Sequence, residues 1–285
     1  MSSYRFCRTD DVSLLVDALN RCWSPHFPDE PAVTPAAFKR SIRDLQVWCS
    51  SCMVAFSGSD PIGVLIGAKR PSGTLIHKIA VHPDHLRQGH GRHLLTSLSS
   101  KLAILGPPRM IAEVPETLVA TCGLFSACGY AEEAILTDYV LEALTSNDFE
   151  GFVIPVTVDD LAANGLAEAD AEAGKHCCWE RSVETLTARK DEIAGLAVAS
   201  DERIEAYLLY VDRGLEETEL VSLRSFVEDG GDRLTQLLSQ LRARGMMTFR
   251  LPKVHPAEIS KASLETLGFR PAGVHVLYAA KPRSE

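Results

Sequence analysis

Between Ile76 and Leu98 the chain reads IHKIAVHPDHLRQGHGRHLLTSL. A strand-like segment ends at Val81 and a proline turn follows. Arg87-Gln88-Gly89-His90-Gly91-Arg92 then leads into a helix whose Leu94, Leu95, Leu98 and Leu102 share one face. The first turn of a helix leaves N–H groups unpaired at its positive dipole end. Glycines at 89 and 91 let a diphosphate approach that backbone closely, and Arg87 and Arg92 add positive charge. Residues 69–101 hold six Lys/Arg against one acid, Asp84, in a chain whose net charge is −9. Five of the nine histidines fall there as well: His77, His82, His85, His90 and His93. A basic island in an acidic protein suggests a site for a small anion, while the overall balance argues against a nucleic-acid partner.

The elements that must position this turn recur along the chain. At about 150 residues per domain, 285 residues predict two domains. "RTDDVSLL" (Arg8 to Leu15) and "TVDDLAAN" (Thr157 to Asn164) both read as acidic helix starts. Each half closes with a helix ending on glycine and an aromatic, Gly129-Tyr130 and Gly268-Phe269, followed by a strand tyrosine, Tyr139 or Tyr278. Between these ends lie strands at 62–70 and 74–81, joined by Pro71-Ser72-Gly73, and in the second half "EIAGLAVAS", "RIEAYLLYV" and "ELVSLRSFV". A leucine-faced helix follows each set, with Leu234, Leu237, Leu238 and Leu241 in the second. A strand comes next, Met110 to Val114 or Met246 to Leu251. Each half therefore predicts the order β-α-α-β-β-β-α-β-α-β. The expected class is α+β, a mixed sheet with flanking helices, in two tandem domains at 1–145 and 150–285. The polar connector is Thr145 to Gly151.

The whole frame of strand, V-x-P, turn, G-x-G-R and leucine-faced helix resembles the coenzyme A pyrophosphate loop of the GNAT superfamily of acyl-CoA-dependent N-acyltransferases. Leu86 stands where that family has its first Arg or Gln. "MIAEVPETLVATCGLFSACGY" (Met110 to Tyr130) resembles the family's second region. Glu113-Val114, Leu124 and Gly129-Tyr130 match, whereas Leu118, Thr121 and Phe125 replace the family's Asn, Ala and Tyr. The second half resembles a degenerate copy, as in tandem members such as mycothiol synthase. Its loop "SFVEDGGDRLTQ" places Glu228, Asp229 and Asp232 where a phosphate would sit, and like charges repel a polyanionic coenzyme.

The resemblance implies two tandem GNAT-like domains and attack of an amine on the thioester of acetyl-CoA. It places Ile79, Ala80, Val81, Arg87, Gln88, Gly89, His90, Gly91, Arg92 and Phe125 along the coenzyme, with the N–H near Val81 steadying the oxyanion. A lysine-like amine is neutral for only about 0.04 % of the time at pH 7 and an α-amine for about 10 %, so a base matters more for the first. Glu113 is the candidate base, with His77 on the preceding strand as its rival. Phe125 cannot donate a proton. Tyr139 is the candidate substitute, and a thiol can also leave largely as thiolate. A CoA-binding sensor or scaffold without catalysis is the alternative. The acceptor is a small-molecule or peptide amine, and a homodimer is left open.

Other constellations predict less. Cys49-x-x-Cys52 lacks a second pair at zinc spacing. His82-x-x-His85 and His90-x-x-His93 suit the lining of a phosphate site better than a metal, so no metal is expected. Cys177 and Cys178 are neighbours that most simply pack, residues 159–175 read as a solvated helix face, and Arg109 reads as a surface charge. Eight cysteines, no long apolar run and a polar start predict a cytoplasmic protein with reduced thiols and no membrane association.

Overall fold

The computed structural model describes residues 2–142, 152–166, 177–212 and 217–284. The connector Thr145 to Gly151 and the later part of the 159–175 run lie outside the described residues. The elements of the first half are β1 (Ser2–Phe6), α1 (Val12–Cys22), α2 (Pro35–Leu45), β2 (Met53–Ser57), β3 (Asp60–Arg70), β4 (Gly73–Val81), α3 (His90–Leu105), β5 (Met110–Pro115), α4 (Val119–Ala127) and β6 (Ala131–Leu141). The second half supplies β7 (Val153–Val156), α5 (Val158–Ala163), α6 (Val183–Ala188), β8 (Ala194–Ala199), β9 (Ile204–Asp212), β10 (Thr218–Ser225), α7 (Asp232–Ala243), β11 (Phe249–Val254), α8 (Lys261–Thr266) and β12 (Arg270–Ala280). Among the described residues the order is the one the sequence predicts. The strand placed from Met246 begins later, at Phe249.

The compact units do not coincide with the sequence halves at 1–145 and 150–285. One unit is Met1–Glu133 with Val276–Glu285; the other is Ala134–His275. Most of β6 therefore packs in the second unit, and the end of β12 packs in the first. In the first unit the strand order is β1-β2-β3-β4-β5-β12; in the second, β6 leads β11-β10-β9-β8-β7. Val276 and Tyr278 of β12 join the core of Leu65, Leu94, Leu98, Met110 and Phe125. Tyr139 and Leu141 of β6 join the core of Leu208, Leu237, Leu241 and Phe249.

Local chemistry explains the helix starts. Thr157 and Asp160 form a reciprocal capping box at α5. At α1 the acids precede the helix: Asp11 accepts from the Arg8 N–H (2.7 Å) and from Arg5 (2.8 Å) and makes no cap bond. Pro35 at the first turn of α2 and the Thr34 hydroxyl, which accepts from the Ala37 N–H (3.1 Å), start that helix. In α3 the predicted stripe of Leu94, Leu95, Leu98 and Leu102 is buried.

Candidate active site

In the first unit β4 runs antiparallel to β3 and parallel to β5. The β3–β4 register passes from Gly67↔Ile76 to Ile66↔Lys78, so His77 is an extra, bulged residue. The β4–β5 ladder consists of Thr74↔Met110 and Leu75↔Ile111 and then stops. Beyond it the two strands no longer pair, and this gap in the ladder, along the end of β4, is the candidate channel. Val81 lies opposite Gly63, and the His82 N–H donates to the Ile62 carbonyl at 2.9 Å. Val81 is thus at a non-hydrogen-bonded position of that pair. Its own N–H and C=O point away from β3, to the side on which β5 is the next strand. Ile79, two residues back, presents the same edge, and its side chain packs against the core.

The turn at the mouth of this channel is open to solvent from Pro83 to Gly89, apart from half-buried His85. Arg87 takes a left-handed φ of 60°, a conformation that costs a non-glycine residue about 1–2 kcal/mol. Gly89 caps α3 at φ 87°, and a Cβ there would meet nothing within 4 Å. The main-chain N–H groups of Arg87 to Arg92 have no protein acceptor among the described residues. The first bond of the α3 ladder is His93 N–H to Gly89 O at 3.0 Å. Backbone donors left unpaired in this way, at a helix N-terminus flanked by exposed Arg87 and Arg92, fit a diphosphate.

Several predicted residues are placed differently. Gly91 does not face the open side, because a Cβ there would lie 3.0 Å from the Leu124 side chain; the glycine lets α3 approach α4. The His90 side chain turns inward, 5 % exposed, with Nδ1 2.7 Å from the Tyr4 hydroxyl. Desolvation, with His85 and His93 nearby, lowers its pKa. Phe125 is not lining: it is 1 % exposed, stacked on Tyr278 and edge-on to Tyr130. Tyr139 lies in the second unit, 5 % exposed in its core, whereas His77 and Glu113 lie in the first. Glu113 and His77 each lie two residues beyond the last β4–β5 pair, Leu75↔Ile111. Glu113 is half-buried and alternates with core-facing Ala112 and Val114. Both His77 and Glu113 already engage other groups of the protein. Arg109, read as a surface charge, pairs with Glu133.

Sequence reasoning missed His26. It lies in the Trp23–Glu30 segment after α1, and its Nε2 is 2.8 Å from the Val81 carbonyl. Trp23 stacks on Phe27, its Nε1 donates to Glu30 (2.9 Å), and the Lys78 ammonium sits 3.9 Å over its ring. No periodicity or motif in "WSPHFPDE" announces this packing. Among the described residues no cluster of three or more His, Cys, Asp or Glu side chains could hold a metal. Cys49 and Cys52 are buried free thiols.

A sequence model of the acetyltransferase (GNAT) family matches residues 13–130, the stretch that builds this channel and turn. Residues 13–130 belong to the GNAT family. The GNAT fold spans the chain. A tandem GNAT protein from the clavulanic acid biosynthesis pathway superposes with a TM-score of 0.66 at 15% identity, covering 100% of both chains. A GCN5-related N-acetyltransferase from Sphaerobacter thermophilus gives 0.69 at 13% identity, covering 99% of this chain and 96% of that one. One from Anabaena variabilis ATCC 29413 gives 0.67 at 10%, covering 99% and 73%. A comparison with curated protein sequences finds no match.

The second GNAT-like unit repeats the frame with different residues. β10 pairs β11 at Thr218↔Phe249 and Glu219↔Arg250, and Val221 is the bulged residue. Equivalent register positions therefore carry Val221 for His77 and Pro252 for Glu113. Gly231 caps α7 at φ 97°, like Gly89. Here three of the corresponding donors are taken. The Asp229 carboxylate accepts from the Gly231 N–H (3.0 Å), the Arg233 N–H (3.1 Å) and Arg233 Nη1 (2.9 Å), and its carbonyl lies 3.3 Å from the Asp232 nitrogen. Partial burial works to raise the Asp229 pKa, but the Arg233 side chain and the two N–H groups outweigh it and hold the carboxyl below the usual carboxylate range. A buried ion pair, Arg181 with Glu258, links the segment before α6 to the loop after β11, and Arg181 also donates to the Lys253 carbonyl.

Proposed function

We propose that the first unit transfers an acyl group, specifically acetyl, from its coenzyme A thioester to an amine, and that the second unit does no chemistry. The observation that carries this reading is the contrast between the two turns. The N–H groups of Arg87 to Arg92 have no protein acceptor, while Asp229 takes three of their counterparts, those of Gly231, Asp232 and Arg233. The Arg87–Arg92 backbone and the two guanidinium groups hold the diphosphate. Val81, whose N–H faces the channel, donates to the thioester oxygen as charge develops there. Glu113 and His77 flank the channel as candidate proton acceptors. Gln88 and Gly89 serve through their backbone and His90 through its N–H alone, whereas Ala80, at the hydrogen-bonded position opposite Val64, spends its backbone groups on β3. Bound coenzyme supplies the activated acyl carbon and a thiol leaving group.

The eight cysteines are all free thiols, which supports a cytoplasmic location. No described helix is long and apolar enough to cross a membrane. One observation favours a second reading, a CoA-binding scaffold: Phe125 is sealed in the core where the resemblance implies a proton donor. Calorimetry with CoA should give one site per chain. Thiol release from acetyl-CoA with a peptide α-amine, a polyamine, an aminoglycoside and an amino acid separates the enzyme from the scaffold. No heat with CoA would sink both.

A further inference from the structure

The geometry points to His26 as the general base of the first unit, a proposal that rests on the acyl-transfer reading above. A carbonyl oxygen only accepts, so the 2.8 Å contact with Val81 O places the imidazole proton on Nε2. In the neutral ring the Nδ1 lone pair is then left to take a proton. The contact also fixes the location. The Val81 carbonyl points to the channel side of β4, as does the Val81 N–H that would face the thioester oxygen. His26 is exposed, so an incoming amine can reach it. No protein group bonds to Nδ1 among the described residues, whereas Glu113 and His77 are both engaged.

The segment around His26 is held as a base should be held. Trp23 is clamped between Phe27, Glu30 and Lys78, and the Lys78 ammonium lies 3.5 Å from Glu30. Lys78 directly follows the bulge at His77, so the clamp ties this segment to β4. In the reaction the amine nitrogen bonds to the thioester carbon and one amine proton passes to His26 Nδ1. The C–S bond breaks with its electron pair on sulfur, and the imidazolium returns the proton to the thiolate or to water.

Two readouts test the assignment without relying on turnover. Long-range 15N–1H correlation of the histidine side chains should show a proton held on His26 Nε2. Bromoacetyl-CoA carries an electrophilic CH2 beside the acyl carbon. His26 Nδ1 should displace bromide and form a C–N bond that peptide mass spectrometry locates at His26. Glutamine at this position retains a donor for the Val81 carbonyl but supplies no base. His26→Gln should therefore keep CoA affinity and the unfolding midpoint while slowing acetyl transfer by about 100-fold or more, and His26→Ala should be rescued by added imidazole. Alkylation at Glu113 or His77 with His26 unmodified, or a His26→Gln enzyme at wild-type rate, overturns the proposal. Wild-type protein that binds no CoA defeats the acyl-transfer reading itself, an outcome that calorimetry tells apart from a misplaced base.

Discussion

Phe125 and Tyr278 stack with ring centroids 5.7 Å apart and planes within 16°, although one belongs to α4 of the first half and the other to the last strand of the second. The Tyr278 ring is 2 % exposed; its pKa is raised chiefly by burial, and its hydroxyl donates to Glu132 at 3.2 Å. The first unit thus depends on an aromatic contributed from the second half of the sequence. Replacing a buried aromatic with alanine costs about 3–5 kcal/mol, so Tyr278→Ala should lower the unfolding free energy by that amount in denaturant titrations. Tyr278→Phe removes one hydrogen bond and should cost about 0.5–1.5 kcal/mol. A Tyr278→Ala protein of unchanged stability would contradict the core described.

Truncation gives a sharper outcome. A fragment of residues 1–142 keeps every element of the first half but lacks β12, so the edge of β5 is left without its neighbour. It should aggregate or remain unfolded, and it should bind no CoA. A fragment that melts cooperatively and titrates with CoA would show that the exchanged strand is dispensable.

Gly89 is constrained by backbone conformation and not by space. Gly89→Ala puts a Cβ where nothing lies within 4 Å but at φ 87°, a strain of about 1–2 kcal/mol. Gly89→Glu adds a carboxylate in front of the open donors and should abolish CoA binding in calorimetry. Retained affinity would remove the turn as a phosphate site.

Asp229 closes the turn of the second unit, and its depressed pKa carries a pH signature. A carboxyl whose folded pKa lies below the unfolded value near 3.9 stabilises the fold above that value, and this contribution is lost as pH falls through the folded pKa. Asp229→Ala should cost about 0.5–2 kcal/mol near neutrality, as loss of a helix cap does. The gap to wild type should shrink in acid. A gap that stays constant from pH 7 to pH 3 would show that the charge contributes nothing.

Much of this could be read from the residues alone. Leucine spacing located α3 and α7, alternation located the strands, and the glycine pair in a basic stretch located the open turn. Strand partnership was hidden, because nothing in the local pattern of Tyr139 or Tyr278 says which sheet a closing strand will join. The two tyrosines were matched by position, and the exchange of strands reverses which one lies near Phe125. Gly91 and His90 were assigned to the anion because they lie within the motif, yet helix geometry turns one toward Leu124 and the other toward Tyr4. His26 sits among prolines in an irregular segment, where no periodicity reports a contact with a strand carbonyl.

The place of β12 has a consequence for biosynthesis. At about 5–20 residues per second, the ribosome works for on the order of ten seconds after β6 emerges before it reaches the residues that complete the first unit. Throughout that interval the nascent chain carries an unfinished sheet, and a product released early never closes it. A completed first unit therefore reports that translation has passed through the codons of β12.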